Sequence, residues 1–308
     1  MQIFQKISKN KNFHSLLLML PILIFLFVFS VYPIISAFFN SFKNIGFTGQ
    51  ISYGIGNYQR LLIQNSFQDA LRNSSILFFV SSPLALFIGF ILAILLSRLS
   101  NKISQKLFIS ALYSQFFISA FAIGVSFTFL FGDKNVFAKL INANFSFVGG
   151  KNKIELIWLY IIYQLWRAIP FNTVLFFFAI NSIESRYAKN IKVDNLSIKD
   201  RIFYLYFKEI GNNFIVIAYT NFIFATMLYP SIITGKINLD LNRGHTIASY
   251  IIDLKDDIGK QNATAFIALL FLFSLFSTFI ILNPKIWIKI YQKIITTIRR
   301  KNEKIKSE

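Results

Sequence analysis

The sequence predicts an all-α, polytopic membrane protein with six transmembrane helices, and three observations lead there. Of its 308 residues, 55% are hydrophobic and 15% are charged, against about 25% charged in an ordinary soluble domain. The apolar residues arrive in long blocks instead of stripes of period 2 or 3.6, so the bilayer is their simplest host. Six blocks meet or approach the roughly 20 helical residues that cross a hydrocarbon layer about 30 Å thick. None of the six contains an acidic residue.

The predicted spans are 14–39, 74–96, 108–131, 156–183, 214–234 and 263–282, forming one transmembrane domain over 14–282. A short segment, 1–13, precedes them and brings Lys6, Lys9 and Lys11 to the first span, as a secretory leader would. Its apolar run is too long for a leader and lacks a small-residue cleavage site, so a retained helix is expected. Between Gln50 and Asn73, Gly54, Gly56 and a short amphipathic stretch predict a surface or re-entrant helix. The longest polar insertion, 184–212, joins spans four and five and reads as helix, turn, helix. In the tail 283–308, Trp287, Ile290, Tyr291, Ile294, Ile295 and Ile298 alternate with eight basic residues, the pattern of a helix lying on a membrane surface.

Six spans put both termini on one side. Loops on that side hold 20 Lys and Arg, the opposite loops hold 11, and Arg167 lies inside span four. The richer side is expected to be cytoplasmic, which places the chain in the cytoplasmic membrane with both ends inside. The net charge of +19 is then a matter of topology and anionic lipid, and no nucleic acid is expected as a partner.

Much chemistry is excluded. The chain has no cysteine and two histidines, His14 and His245, and neither is accompanied by carboxylates at metal-ligand spacing. No metal and no catalytic residue is predicted. Gly149-Gly150-Lys151 lacks the first Gly and the following Ser or Thr of a phosphate loop, so the chain carries no nucleotide or other cofactor of its own. Arg167 is the only ionisable group at mid-membrane, in Trp166-Arg167-Ala168-Ile169-Pro170-Phe171-Asn172, where Pro170 should free backbone carbonyls toward a cavity. With Trp166, Asn172, Tyr219 and Asn221 it forms the candidate solute path. For each polar residue the alternative is a hydrogen bond between helices.

The segment Glu184 to Ser197 resembles the cytoplasmic loop of the permeases of binding-protein-dependent ABC importers. Lys189, Asn190 and Ile191 stand at the Glu-Ala-Ala positions of that loop. Asp194 and Ser197 keep its pattern, and Asn195 stands where the family has Gly. Other segments agree in order: Tyr32-Pro33, then Asn57-Tyr58 with Arg60-Leu61-Leu62, Pro83 with Gly89, Ala93 and Arg98, Trp166-Arg167 with Phe171-Asn172, and Thr234-Gly235 with Thr246 to Tyr250. The order is similar to the sugar and glycerol-phosphate branch that includes the maltose permease.

The resemblance implies a type I ABC importer permease fold and half of a pathway for a sugar or related solute. It also implies a second permease, two ATPase subunits that hold ATP and Mg, and an extracellular solute-binding protein. Lys189, Asn190, Ile191, Asp194, Asn195 and Ser197 become the ATPase-coupling loop. Against this stand a secondary carrier and a membrane assembly protein with no transport role.

Overall fold

In a computed structural model, the structure describes residues 11–46, 49–132, 135–147, 152–235 and 237–281. Residues 1–10, Gly149-Gly150-Lys151 and the expected tail 283–308 lie outside the described residues. The chain divides into two compact units, one of residues 1–59 and 254–308, the other of 60–253.

In the first unit, α1 (Lys11–Leu26), a π-helical turn (Phe27–Val31) and α2 (Tyr32–Ser41) run on without a break. Pro33 has no N–H for the carbonyl of Phe29, and its ring crowds that carbonyl. The widened turn just before it relieves the conflict without ending the helix. Every residue from Leu18 to Leu26 is exposed, an apolar surface of the kind lipid covers. A two-stranded hairpin follows, β1 (Lys43–Ile45) with β2 (Ile51–Tyr53), paired Asn44 to Ser52. Asn57, at the start of α3 (Gly56–Ile63), is 1% exposed and donates from Nδ2 to the carbonyls of Ser41 and Lys43, both at 3.0 Å. Beside it, the Tyr58 hydroxyl meets Ser41 Oγ at 2.6 Å. Asn57 thus satisfies carbonyls left open where α2 ends, and Tyr58 fixes the Ser41 side chain beside them.

The second unit is built on two long helices. One comprises α4 (Asn65–Ile76), a second π-helical turn (Leu77–Ser81) and α5 (Ser82–Ser97). The turn again falls just before a proline, Pro83. Between them in sequence and α9 lie α6 (Lys102–Ser114), α7 (Ala120–Phe131) and α8 (Val136–Leu140). The other long helix, α9 (Leu156–Arg186), runs for 31 residues through Pro170. Ala85, Gly89 and Ala93 are spaced by four on α5, and both alanines are 0% exposed. A Cβ added at Gly89 would lie 2.7 Å from Asn172 Cβ and 3.2 Å from the Thr173 nitrogen of α9. Without a hydrophobic drive between helices in lipid, such a stripe of small residues lets backbones approach and dispersion hold them.

Two expected spans are not single straight helices. The block 108–131 begins earlier, at Lys102, and consists of α6, a 3-10 turn (Gln115–Phe117) and α7, bent by 96°. Ile118 and Ser119 are extended there, and Ser119 Oγ caps the second helix by accepting from Ala122 N at 3.1 Å. A serine that offers the backbone a fresh helix start divides an apolar run that hydropathy alone joins. The block 214–234 divides into α13 (Gly211–Thr226) and α14 (Ser231–Thr234). Pro230 cannot donate to Thr226 and disfavours helix at the residue before it. Among the described residues, three helices are long and apolar enough to cross a membrane, or four with the bent pair, and Asn213–Thr226 and Ile258–Ser274 are shorter apolar helices.

Candidate functional site

Beyond α9 the chain makes a compact protrusion from α10 (Ala188–Val193), α11 (Ile198–Asp200), a π-helical stretch (Arg201–Tyr206) and α12 (Phe207–Glu209). The turn between α10 and α11 is set by local chemistry. Asn195 takes φ +46°, a conformation Asn enters more readily than any residue but Gly. Leu196 N then returns to the Ile191 carbonyl at 3.2 Å, closing the first helix. Ser197 and Asp200 form a reciprocal capping box that opens the second. Ile191 is buried, whereas Lys189, Asn190, Asp194, Asn195 and Ser197 are exposed. Val193, Ile198, Phe203, Tyr204 and Phe207 are exposed apolar residues of the same protrusion.

A charged cluster holds this protrusion at its root. Glu184 Oε1 lies 3.2 Å from Arg98 Nη2 and 3.7 Å from Arg201 Nη1, and it accepts a hydrogen bond from the Tyr206 hydroxyl. Arg98 also donates to that hydroxyl at 2.8 Å. Burial, then the bond to Glu184, pushes the Tyr206 hydroxyl well above its ordinary pKa, so it remains a donor. The end of α5, the end of α9 and the π-helical stretch thereby share one carboxylate. The sequence reading missed this cluster, because Arg98 and Glu184 follow spans two and four and lie 86 positions apart.

Arg167 borders a cavity of about 170 Å3 together with Gln115, Tyr163, Phe171 and Phe224. Its guanidinium carbon sits 4.4 Å from the Phe224 ring centre, a cation–π contact. Pro170 deprives the Trp166 carbonyl of its helical donor, and Gln115 Nε2 supplies one at 3.1 Å. The freed carbonyl is therefore real and already engaged, by a residue at the bend of the 102–131 pair. Gln115 went unnoticed in the sequence, where only Pro170 hinted that such a donor was needed. The Trp166 side chain packs edge-on to Phe127.

Asn172 and Asn221 are both 0% exposed and do not border this cavity. Asn172 Nδ2 donates to Asn221 Oδ1 at 3.2 Å, and Asn221 Nδ2 donates to the Ser82 carbonyl at 2.9 Å, so the pair bridges α5, α9 and α13. Tyr219 is half exposed on α13 and also lies away from the cavity.

At the opposite end of the second unit, residues 239–250 form a strap. Asn73 donates to the carbonyls of Arg243 and His245 at 2.8 and 2.9 Å, and the Tyr160 hydroxyl donates to that of Gly244 at 2.7 Å. Thr246 Oγ1 reaches the Leu228 carbonyl, and Ile247 N reaches Ser74 Oγ. Sequence spacing left His245 without carboxylates. The fold puts Asp240 3.1 Å from Nε2 and Asp253, at the end of α15 (Ile247–Asp253), 3.8 Å from Nδ1. Tyr250 stacks edge-on to His245, and burial pushes its hydroxyl pKa up to about 12.

No protein-family model matches the chain. It is 20% identical over 185 residues to a probable ABC transporter permease protein of Mycoplasma genitalium, covering 58% of this chain and 56% of that one. It is 26% identical over 189 residues to the polygalacturonan/rhamnogalacturonan transport system permease protein of Bacillus subtilis, covering 58% and 57%. The chain thus matches little more than half the length of these relatives. A crystal structure of a bacterial ABC transporter involved in the import of the acidic polysaccharide alginate superimposes with a TM-score of 0.67, 18% identity, 92% of this chain and 100% of that one. A bacterial alginate ABC transporter in complex with an alginate pentasaccharide-bound periplasmic protein gives a TM-score of 0.66 at 18% identity, over 88% of this chain and 94% of that one.

Proposed function

We propose that this multi-pass membrane chain, which has the fold of an ABC importer permease, is the permease subunit of an ATP-driven importer and forms half of a path for a saccharide. In this reading it pairs with a second permease and receives solute from an extracellular binding protein. It is driven by two ATPase subunits that bind ATP and Mg in its place. Both termini and the 184–209 protrusion are cytoplasmic, as the basic residues favour.

The observation that carries the reading is the protrusion itself. It is capped at both helices, anchored through Glu184, continuous with the 31-residue α9, and exposes Lys189, Asn190, Val193, Asp194 and Ile198 together. A rigid element held at its root transmits a rigid-body push from a seated partner, as a floppy loop does not.

Ile191→Pro removes the helical hydrogen bond from Ile191 N to Tyr187 O and costs about 3 kcal/mol or more locally. Solute-stimulated ATP hydrolysis by the purified assembly is expected to be lost. Asn195→Gly, which keeps the left-handed turn, should leave hydrolysis unchanged. Cysteines at Asn190 and on the ATPase surface should crosslink. Intact stimulation in Ile191→Pro, or failure to capture any ATPase from this protrusion, would favour a secondary carrier.

The Arg167 cavity is the second element of this reading. Arg167→Leu gives up a cation–π contact of about 0.5–2 kcal/mol and the only mid-membrane charge. Assembly in mild detergent should survive while uptake falls, and normal uptake by a normally assembled variant would remove Arg167 from the path.

A further inference from the structure

Beside the strap opens a cleft of about 270 Å3, bordered by Arg72, Lys153, Glu155, Asn242 and Arg243, with buried Asn73 and Leu156 against it. Its charges do not balance. Arg72 Nη2 lies 3.1 Å from Glu155 Oε2, which occupies the cleft's one carboxylate. Among the described residues, Lys153 Nζ reaches only the neutral Asn242 amide, and Arg243 has no ion pair.

Arg243 is also held in an unusual conformation. Its φ is +50°, in the left-handed region where Gly and Asn are at ease and a longer side chain is disfavoured. The bond from Asn73 to the Arg243 carbonyl and that from Tyr160 to Gly244 hold the turn there. A strained backbone that neighbours over-determine, carrying a cation beside a concave surface, is a pattern of ligand-binding positions.

We propose that this cleft is an entry site for the carboxylate of an anionic sugar. The proposal rests on the permease reading and on the strap facing outward. A concave site near the small end of ligand clefts, which run to about 300–1,000 Å3, suits one sugar-acid unit. A protein partner would need a broad face of about 800 Å2. Arg243 supplies the planar fork that matches a carboxylate, and Lys153 supplies the adjoining point charge.

The chain lacks cysteine, so Asn242→Cys gives a single thiol at the cleft. In intact cells expressing the full assembly, a membrane-impermeant maleimide should label it. D-glucuronate should slow labelling several-fold, D-glucose should not, and added salt should weaken the protection. Adding Arg243→Asn, which keeps the left-handed turn, should abolish the protection, and Arg243→Lys should retain part of it. Equal protection by glucose or by inorganic phosphate overturns the sugar-acid assignment, as does protection that survives Arg243→Asn. Labelling only after permeabilisation overturns the outward placement and the site with it. Unprotected labelling in an assembly that still contains its ATPase overturns this inference alone, whereas intact protection without any ATPase partner overturns the permease reading instead.

Discussion

Glu184→Ala is expected to reduce uptake at least as severely as any change on the exposed surface of the protrusion, because Glu184 holds its root. Its carboxylate is about one-quarter exposed and is shared by Arg98, Arg201 and Tyr206. Removing it leaves two guanidinium groups facing each other and a phenol without its acceptor. A hydrogen bond to a charged group contributes about 1.5–3 kcal/mol, so a thermal melt of the purified chain should show a moderate loss, well short of unfolding. The larger effect is mechanical, because the root of the protrusion is no longer fixed to the ends of α5 and α9. ATP hydrolysis should continue without stimulation by solute. Arg98→Met alone should mimic the loss in part, and combining it with Glu184→Ala should cost less than the sum of the two. Additive effects, or stimulation that persists in Glu184→Ala, would show that the cluster does not hold the protrusion in place.

Gly89→Val is expected to be strongly destabilising for the second unit. The new Cβ would overlap Asn172 and press on the α9 backbone at Thr173, which cannot move aside as the tip of a flexible side chain can. Overpacking of this kind costs about 1–3 kcal/mol, and here it also pulls Asn172 from Asn221 and so loosens α13. The purified variant should melt lower and yield less protein of the correct size, whereas Gly211→Ala, with nothing near its added Cβ, should behave as the parent does. Equal melting of Gly89→Val and the parent would mean that α5 and α9 are farther apart than the structure places them.

The membrane class was legible because it depends on a sum: long apolar blocks without acids need lipid whatever their details. The turn at Asn195 was legible because its cause is local, one residue tolerant of the left-handed region standing where the resembled family has Gly. What could not be read were events that depend on a partner distant in sequence. Nothing near Glu184 specifies that Arg98, 86 positions earlier, will share it, and nothing near Pro170 names Gln115 as the donor for the freed carbonyl. Hydropathy also joined what backbone chemistry divides: Ser119 and Pro230 each restart a helix inside an apolar block, and a scale that scores side-chain transfer does not register a cap or a missing N–H. Asn172 and Asn221 looked alike to Arg167 in a one-dimensional reading, and only the fold separates buried bridges from a residue beside a cavity.

The left-handed turns of this chain and its composition point the same way. Among the described residues, four other than glycine have positive φ, and three of them are asparagines, at 135, 142 and 195. The chain has 38 Phe but only 13 Gly and 6 Pro. Codons for Phe and Asn begin with two A or T bases, and those for Gly and Pro with two G or C bases. Codon usage rich in A and T disfavours glycine and favours asparagine, which, with aspartate, enters a left-handed turn more readily than other non-glycine residues. Such usage removes the letters by which a lineage is identified while leaving its backbone in place. A chain of this composition is accordingly found more readily by superposition than by matching glycines, and a search for its distant kin should weight Asn and Gly as equivalents wherever φ is positive.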